Sequence, residues 1–155
     1  SDVCSSDLGS GGLSHNPDMI FPAYGTADAV ISDYQALGPH EDPARLDRWL
    51  KHMQAVHLEG AAALGSGAIS AADCKLNEAI DLEFLSFVTS GRVDKADQWK
   101  PTELIEKAGI GSVEIYTWIA ACTAHAVAGG ATPVQDIYAQ TVEYGVAMGM
   151  VHANA

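Results

Sequence analysis

A histidine directly after a glycine-rich turn is the first feature of this sequence that can carry chemistry. The segment from Gly9 to His15 reads Gly-Ser-Gly-Gly-Leu-Ser-His. Glycines let a backbone turn sharply and approach a ligand closely, and an imidazole exchanges protons near neutral pH. One interpretation is a histidine that is presented into a pocket for proton transfer. The alternative is a flexible linker followed by a surface histidine, because Gly/Ser clusters are common in linkers.

A carboxylate at the start of an apolar helix is the second such feature. Glu114 follows Gly109 and Gly111 and precedes the run Ile-Tyr-Thr-Trp that ends at Trp118. One interpretation is a metal ligand or catalytic acid that enters a pocket beside Trp118. The other is an acid that interacts favourably with the dipole at a helix N-terminus, where acidic residues are common. The residues alone leave both interpretations open.

The remaining potential ligands do not form a recognisable metal or nucleophile motif. His52 and His57 share a predicted helix but point about 140° apart at 3.6 residues per turn. Ser14 has no aspartate partner that the sequence identifies, so a hydrolase triad is not indicated. The three cysteines show no CxxC spacing, which argues against a zinc site or a disulfide framework. The small residues around His125 predict a packed core histidine.

Helices account for most of the elements that would position these residues. The apolar spacing, the capping residues and the glycine stops predict helices over the following segments: 26–36, 42–64, 70–74, 77–88, 102–108 and 112–127. The last segment, Val134 to Val151, is rich in β-branched and aromatic residues and is predicted to be partly extended. The sequence thus predicts one helix-rich domain.

Composition excludes several classes of partner. The chain has 155 residues, 48% of them hydrophobic, which suffices for one domain with a core. Twenty acidic residues against eight basic ones give a net charge of −12, which argues against nucleic acid or an anionic membrane as partner. Sparse cysteine use fits a reducing compartment, and we expect a cytoplasmic protein.

Several segments resemble the class III (LigB-type) extradiol ring-cleaving dioxygenases when they are taken in order. Residues 9–17 resemble the family's Gly-Gly-x-Ser-His segment, and Asn77 to Leu85 is similar to its N-x-x-x-D-x-x-F-L stretch. Four further segments follow in the family's order: 91–99, 103–109, 114–121 and 137–149. The resemblance is closest to the 2,3-dihydroxyphenylpropionate 1,2-dioxygenase branch. It implies an α/β fold, with this chain as the C-terminal portion of a LigB-like fold that is helix-rich around a β-sheet.

The resemblance also implies roles for individual residues. His15 matches the catalytic acid/base that acts on the catechol, and Glu114 matches the carboxylate of a two-His-one-carboxylate site for non-haem Fe(II). Gly12, Ser14 and Trp118 are expected to contribute to substrate binding. The implied reaction is cleavage of a catechol-type ring by O₂, next to the two hydroxyl groups. The implied full-length enzyme is a homo-oligomer.

The chain departs from the family's pattern at its N-terminus. The family's two iron-binding histidines precede the Gly-Gly-x-Ser-His segment, and an apolar strand leads into it, whereas this chain reads SDVCSSDL over residues 1–8. We expect residues 1–8 to be a foreign or disordered leader. Residues 9–155 are then the C-terminal part of one catalytic domain whose N-terminal half is missing, so that the chain as given is inactive.

Two other functions stay open at this point. The first is a relative that cleaves a protocatechuate-, gallate- or aminophenol-type ring on the same scaffold. The second is a non-catalytic helical binding module, in which the segment from Gly9 to His15 serves only as a linker.

Overall fold

The computed structural model describes residues 11–16, 29, 32, 36, 43–70 and 72–153. These residues form a mixed structure of helices and a small antiparallel sheet. The α-helices are α1 (Pro43–Gly65), α2 (Glu78–Thr89), α3 (Pro101–Ala108) and α4 (Ile115–Val127), and the strands are β1 (Val134–Thr141) and β2 (Val146–His152). Shorter 3₁₀ helices span Val93–Gln98, Ile110–Glu114 and Val142–Tyr144. None of the helices in the described ranges has both the length and the apolarity that crossing a membrane requires.

Three of the predicted helices are confirmed to within one or two residues at each end. The helix predicted over 42–64 is α1, and those predicted over 77–88 and 102–108 are α2 and α3. The caps explain the agreement. The Asn77 side chain accepts a hydrogen bond from the Ile80 backbone N–H at 3.2 Å, as an N-cap residue does. Pro101 begins α3, where its missing N–H costs no helical hydrogen bond.

Two predicted helices differ from the structure. The helix predicted from Ser112 begins as a 3₁₀ helix at Ile110, and its α-helical part starts only at Ile115. The Ser112 hydroxyl donates to the Gly109 carbonyl at 2.6 Å, and such local bonding competes with α-helical geometry. The helix predicted over 70–74 is a turn, closed by Ser70 N–H and O–H bonds to the Asp73 carboxylate at 2.8 and 2.7 Å.

Some predictions lie outside the described residues. They include the leader over residues 1–8 and most of the helix predicted over 26–36. Of that helix, Ala29, Ser32 and Ala36 are described, and all three are helical.

One apolar cluster packs α2 against the sheet and against α4. The α2 side chains Phe84, Leu85 and Val88 are buried in it, and each buried side chain of this size contributes about 1.5–3 kcal/mol. The other buried members are Leu13, Ala96, Leu104, Ala108, Ile115, Trp118 and Ala147. Leu13 belongs to the glycine-rich segment, so the core itself holds that segment in place.

The segment predicted to be partly extended forms a hairpin. Strands β1 and β2 pair antiparallel, with Tyr138 opposite Gly149 and a register shift between Gln135 and Ile137. The glycine-rich segment joins the other side of β2: Leu13 N–H donates to the Ala147 carbonyl at 3.1 Å, and Ala147 N–H donates to the Ser14 carbonyl at 2.9 Å. The residues just before His15 are therefore tied to the sheet.

Candidate active site

His15 lies where the glycine-rich segment meets the turn between α3 and α4. Its backbone N–H donates to the Ala108 carbonyl at 2.9 Å, and its carbonyl accepts from the Gly111 N–H at 3.1 Å. Leu13 and Ser14, which precede it, are fully buried. The described part of the segment is therefore packed and hydrogen-bonded, which does not fit the linker alternative.

One ring nitrogen of His15 is already engaged within the protein. Nδ1 lies 2.9 Å from the Leu13 carbonyl oxygen. A carbonyl only accepts hydrogen bonds, so Nδ1 carries the proton of this bond. In the neutral ring Nε2 is then the unprotonated nitrogen, and its lone pair is available to a substrate. Such a bond to the second nitrogen is the usual way in which proteins set the tautomer of a functional histidine.

Two glycines leave the space that the His15 ring occupies. A Cβ placed on Gly12 would lie 2.6 Å from His15 Nδ1, and a Cβ placed on Gly111 would overlap the ring atoms. Real Cβ atoms do not approach other atoms this closely. A residue larger than glycine at position 12 or 111 would therefore clash with the His15 ring in its present place. The glycines at these positions are thus explained by the imidazole that they enclose.

Glu114 is the last residue of the 3₁₀ helix Ile110–Glu114, and its side chain lies against the glycine-rich segment that carries His15. One of its side-chain oxygens, Oε2, accepts a hydrogen bond from the Gly12 backbone N–H at 2.6 Å. The side chain makes no capping hydrogen bond to α4. Its hydrogen bond therefore does not fit the helix-end interpretation, because the carboxylate is directed at the glycine-rich segment instead.

The structure brings His15 and Glu114 together. His15 Nε2 lies 3.9 Å from Glu114 Oε1, which is close enough for an ion pair when the ring is protonated and too long for a hydrogen bond. The side chains are 14% and 48% exposed, so solvent and small molecules reach them. In the neutral state of His15, two hydrogen-bond acceptors face each other across a short gap. Such a gap suits a proton donor or a cation.

Ser14 and Trp118 are directed into the protein. Ser14 donates from its N–H to Asp81 Oδ1 at 2.7 Å and from its hydroxyl to Asp81 Oδ2 at 2.6 Å. The Trp118 Nε1–H donates to the Gly11 carbonyl at 3.2 Å, and its ring packs edge-on against Phe84 with centroids 6.0 Å apart. The polar groups of both side chains are thus engaged within the protein. The expected contribution of Ser14 and Trp118 to substrate binding stays a prediction.

Asp81 is the residue that the sequence interpretation left without a role. It is 2% exposed and also accepts a hydrogen bond from the Tyr138 hydroxyl at 3.0 Å. Burial raises the pKa of the Asp81 carboxyl, while the hydrogen bonds from Ser14 and Tyr138 act in the opposite direction. Burial and the Asp81 carboxyl also raise the pKa of the Tyr138 hydroxyl, which stays protonated as a donor. Two sequence signals were available: the aspartate of the N-x-x-x-D stretch, and its helical spacing with Phe84, Leu85 and Val88 on the buried face of α2.

The described residues bring together one imidazole and one carboxylate, but they do not form a complete metal site. Within these parts of the chain, no group of three His, Cys, Asp or Glu side chains is arranged to hold an ion. Glu114 Oε1 is open to a ligand, whereas Asp81 is buried and engaged by its donors. The arrangement can therefore exchange a proton at His15 and present one carboxylate oxygen beside it.

Comparison with known proteins identifies relatives of this chain. It is 30% identical over 148 residues to a protein from Rhodococcus jostii (strain RHA1) that is named 2,3-dihydroxyphenylpropionate/2,3-dihydroxicinnamic acid 1,2-dioxygenase. That match covers 96% of this chain and 45% of the relative. Proteins of the same name from Rhodococcus rhodochrous and Mycolicibacterium gilvum (strain PYR-GCK) are 34% and 37% identical over 141 and 122 residues.

These matches cover most of this chain but less than half of each relative. The Rhodococcus rhodochrous match covers 88% of this chain and 41% of the relative, and the Mycolicibacterium gilvum match covers 79% and 36%. The chain thus spans less than half the length of the curated relatives that it matches. No protein-family model matches the chain. On the strength of these relatives, the chain belongs to the extradiol ring-cleaving dioxygenases.

Proposed function

We propose that this chain carries the acid/base half of a non-haem Fe(II) site that cleaves a catechol-type ring with O₂, next to its two hydroxyl groups. The observation that carries the proposal is the meeting of His15 and Glu114, whose side chains lie 3.9 Å apart although the residues are far apart in sequence. The motif resemblance selects the same two residues. The names of the relatives support ring cleavage by a dioxygenase as the activity.

His15 is the group that moves the proton. A catechol must lose hydroxyl protons before its ring is electron-rich enough to react with O₂. With Nδ1 held by the Leu13 carbonyl, Nε2 accepts the proton of a hydroxyl group bound in the gap before Glu114. The same nitrogen then returns the proton to an oxygen of the product. General acid–base groups of this kind typically contribute 10²–10⁴-fold to a rate.

Glu114 is the proposed carboxylate ligand. The Gly12 N–H fixes its Oε2, and this leaves Oε1 directed at the reaction space. An Fe(II) ion bound there would supply a path for electrons from the catechol to oxygen, and a two-His-one-carboxylate set is the arrangement that suits Fe(II). Because the described residues do not complete such a set, we propose that both histidine ligands come from the part of the enzyme that this chain does not span.

The remaining features of the proposal follow from the family. We assign residues 9–155 to the C-terminal part of one LigB-like catalytic domain, and residues 1–8 to a leader without a catalytic role. We further propose a homo-oligomeric enzyme in the cytoplasm. The free thiols of Cys74 and Cys122 fit a reducing compartment. The substrate is a catechol with a side chain at the ring, as in the names of the relatives.

Exchange of the matching segment tests this proposal. Residues 9–155 would replace the aligned segment of the Rhodococcus jostii relative. Ring cleavage of a 3-substituted catechol would then be followed by the yellow colour of the ring-opened product. A folded, iron-loaded chimaera should form this product. Because a chimaera at 30% identity can fail to fold, the same exchange is made in the relatives that are 34% and 37% identical. Folded, iron-loaded chimaeras without product would contradict the proposal.

A further inference from the structure

We propose that Asp81 is a positioning residue that orients the His15 imidazole through Ser14. This inference rests on the acid/base role proposed for His15. Asp81 lies on α2, away from the glycine-rich segment in sequence, and it contacts neither the His15 ring nor Glu114 through any hydrogen bond that the structure describes. Its effect on the reaction is therefore transmitted through the backbone of the residue next to His15.

Asp81 fixes Ser14 by two bonds at once. One carboxylate oxygen accepts the Ser14 N–H at 2.7 Å, and the other accepts the Ser14 O–H at 2.6 Å. Both residues are buried, at 2% and 0% exposure. Hydrogen bonds are electrostatically stronger in such buried surroundings than in water, and a pair to one residue restricts rotation as well as translation.

The other polar groups of Ser14 are also engaged. Its hydroxyl oxygen accepts from the Asn77 N–H at 2.8 Å, and its carbonyl accepts from the Ala147 N–H at 2.9 Å. Ser14 thus joins the start of α2 to strand β2. With no polar group left for a substrate, Ser14 has a supporting role that its place beside the catalytic histidine did not suggest.

Because Ser14 lies between Leu13 and His15, fixing its backbone also fixes the orientation of the His15 imidazole. The His15 ring is oriented by the bond from Nδ1 to the Leu13 carbonyl. Ser14 is the residue between Leu13 and His15, so any rotation of its backbone would move this carbonyl relative to the ring. By holding Ser14 still, Asp81 keeps Nδ1 protonated and Nε2 free as the base.

The energetic cost of Asp81 also argues for a role beyond packing. The described groups that interact with its carboxylate by hydrogen bonding are the neutral ones of Ser14, Tyr138 and Gln140. A buried carboxylate without a cation beside it is costly, and an apolar residue would serve packing better. Precise placement of the neighbouring histidine is a benefit that offsets this cost.

Nitrogen-15 NMR of the imidazoles in the 155-residue chain tests the proposal without any turnover. The His15 signals are assigned by their loss in His15→Gln. In the unmodified chain we expect the tautomer with the proton on Nδ1. Asp81→Asn keeps one acceptor for Ser14, and Ser14→Ala keeps the N–H bond but removes the hydroxyl, so both should populate a mixture of tautomers. Tyr138→Phe is the matched control, because it removes a bond to Asp81 and leaves both bonds from Ser14.

The results distinguish an effect of Asp81 on the orientation of His15 from a general loss of protein stability. If Asp81→Asn changes the His15 tautomer and Tyr138→Phe does not, at a comparable loss of thermal stability, the proposal holds. An unchanged tautomer in both Asp81→Asn and Ser14→Ala would overturn it, and so would equal changes in all three variants.

Turnover adds a second readout where a chimaera cleaves the ring. Asp81→Asn should lower kcat about 10- to 100-fold with little change in KM, which is the typical cost of a misplaced catalytic group. An unchanged kcat would overturn the proposal. If no chimaera cleaves the ring, the proposed function fails, while the NMR result still decides whether Asp81 orients His15.

Discussion

The backbone N–H of Gly12 and the side-chain oxygen Oε2 of Glu114 form a hydrogen bond of 2.6 Å that joins two distant parts of the chain. This bond directs Glu114 away from the helix that it precedes and towards the segment that carries His15. It also fixes one carboxylate oxygen, so the other, 3.9 Å from His15 Nε2, has a defined direction. The His15 imidazole and the Glu114 carboxylate are thereby held in one arrangement by the protein itself.

Removal of the Glu114 carboxylate should cost more stability than removal of an ordinary acid at a helix start. Glu114→Ala loses a charge-assisted hydrogen bond, and because the side chain is half-exposed we expect a loss of about 1 kcal/mol in unfolding free energy. Glu114→Gln, whose amide oxygen still accepts, should lose less. Glu78→Ala, which removes an exposed acid in the first turn of α2, is the control and should cost only a few tenths of a kcal/mol. Urea unfolding that gave equal losses in Glu114→Ala and Glu78→Ala would support the helix-end interpretation instead.

An alanine at position 111 should displace the His15 ring. Its Cβ would occupy the space of the imidazole, so we expect Gly111→Ala to reduce the thermal stability of the chain and, in a chimaera that forms product, to lower ring-cleavage turnover at least about tenfold. Gly65→Ala is the matched control, because no atom lies within 4 Å of the added Cβ at the end of α1, and it should be neutral or slightly stabilising. Turnover by Gly111→Ala equal to that of the unmodified protein would show that the ring does not sit against this glycine.

The buried carboxyl of Asp81 should make stability depend on pH. Because burial raises its pKa in the folded protein, folding favours the protonated form, and the contribution of this group falls as pH rises from the ordinary aspartate pKa through the raised value. Asp81→Asn lacks this titration. The stability of Asp81→Asn relative to the unmodified chain should therefore improve between about pH 4 and pH 7, as measured by urea unfolding. The opposite trend would mean that the hydrogen bonds to Asp81 outweigh its burial.

The outer face of the hairpin should promote self-association. Ile137 and Met150 pair across the strands, and they are 53% and 52% exposed, beside the exposed Met148. Contiguous apolar surface of this kind is a typical contact region between proteins. Ile137→Thr combined with Met150→Thr should reduce concentration-dependent association in sedimentation velocity, whereas Val127→Thr, at an exposed apolar position on α4, should not. A monomeric unmodified chain at all concentrations would contradict this expectation.

The sequence predicted the elements whose local signals agree with one another. Asn77 as cap and the apolar spacing of Phe84, Leu85 and Val88 both mark α2, and the structure follows them. The pairing of His15 with Glu114 depends on the tertiary fold, and only the family resemblance placed both residues in one site. No pattern within either segment encodes their distance.

The differences from the sequence predictions have specific physical causes. The 3₁₀ start at Ile110 results from a Ser112 hydroxyl bond that helical periodicity does not register. His125 is partly exposed rather than packed in the core, because its Nε2 bonds to the Ala131 carbonyl beyond the end of α4. Asp81 lies on the same face of α2 as the apolar Phe84, Leu85 and Val88. A charged residue on that face is buried only with hydrogen-bond donors, and these come from Ser14 and Tyr138, which lie far away in sequence.

The rate of ring cleavage with and without the His15 imidazole tests the central claim most directly. In a chimaera that forms product, His15→Ala should lower kcat by about 10²–10⁴-fold, with the fold and the iron content unchanged. His125→Ala, at the partly exposed histidine of α4, is the matched control and should leave kcat unchanged. Equal turnover of the His15→Ala and His125→Ala variants would contradict the assignment of His15 as the acid/base group, and with it the function proposed for this chain.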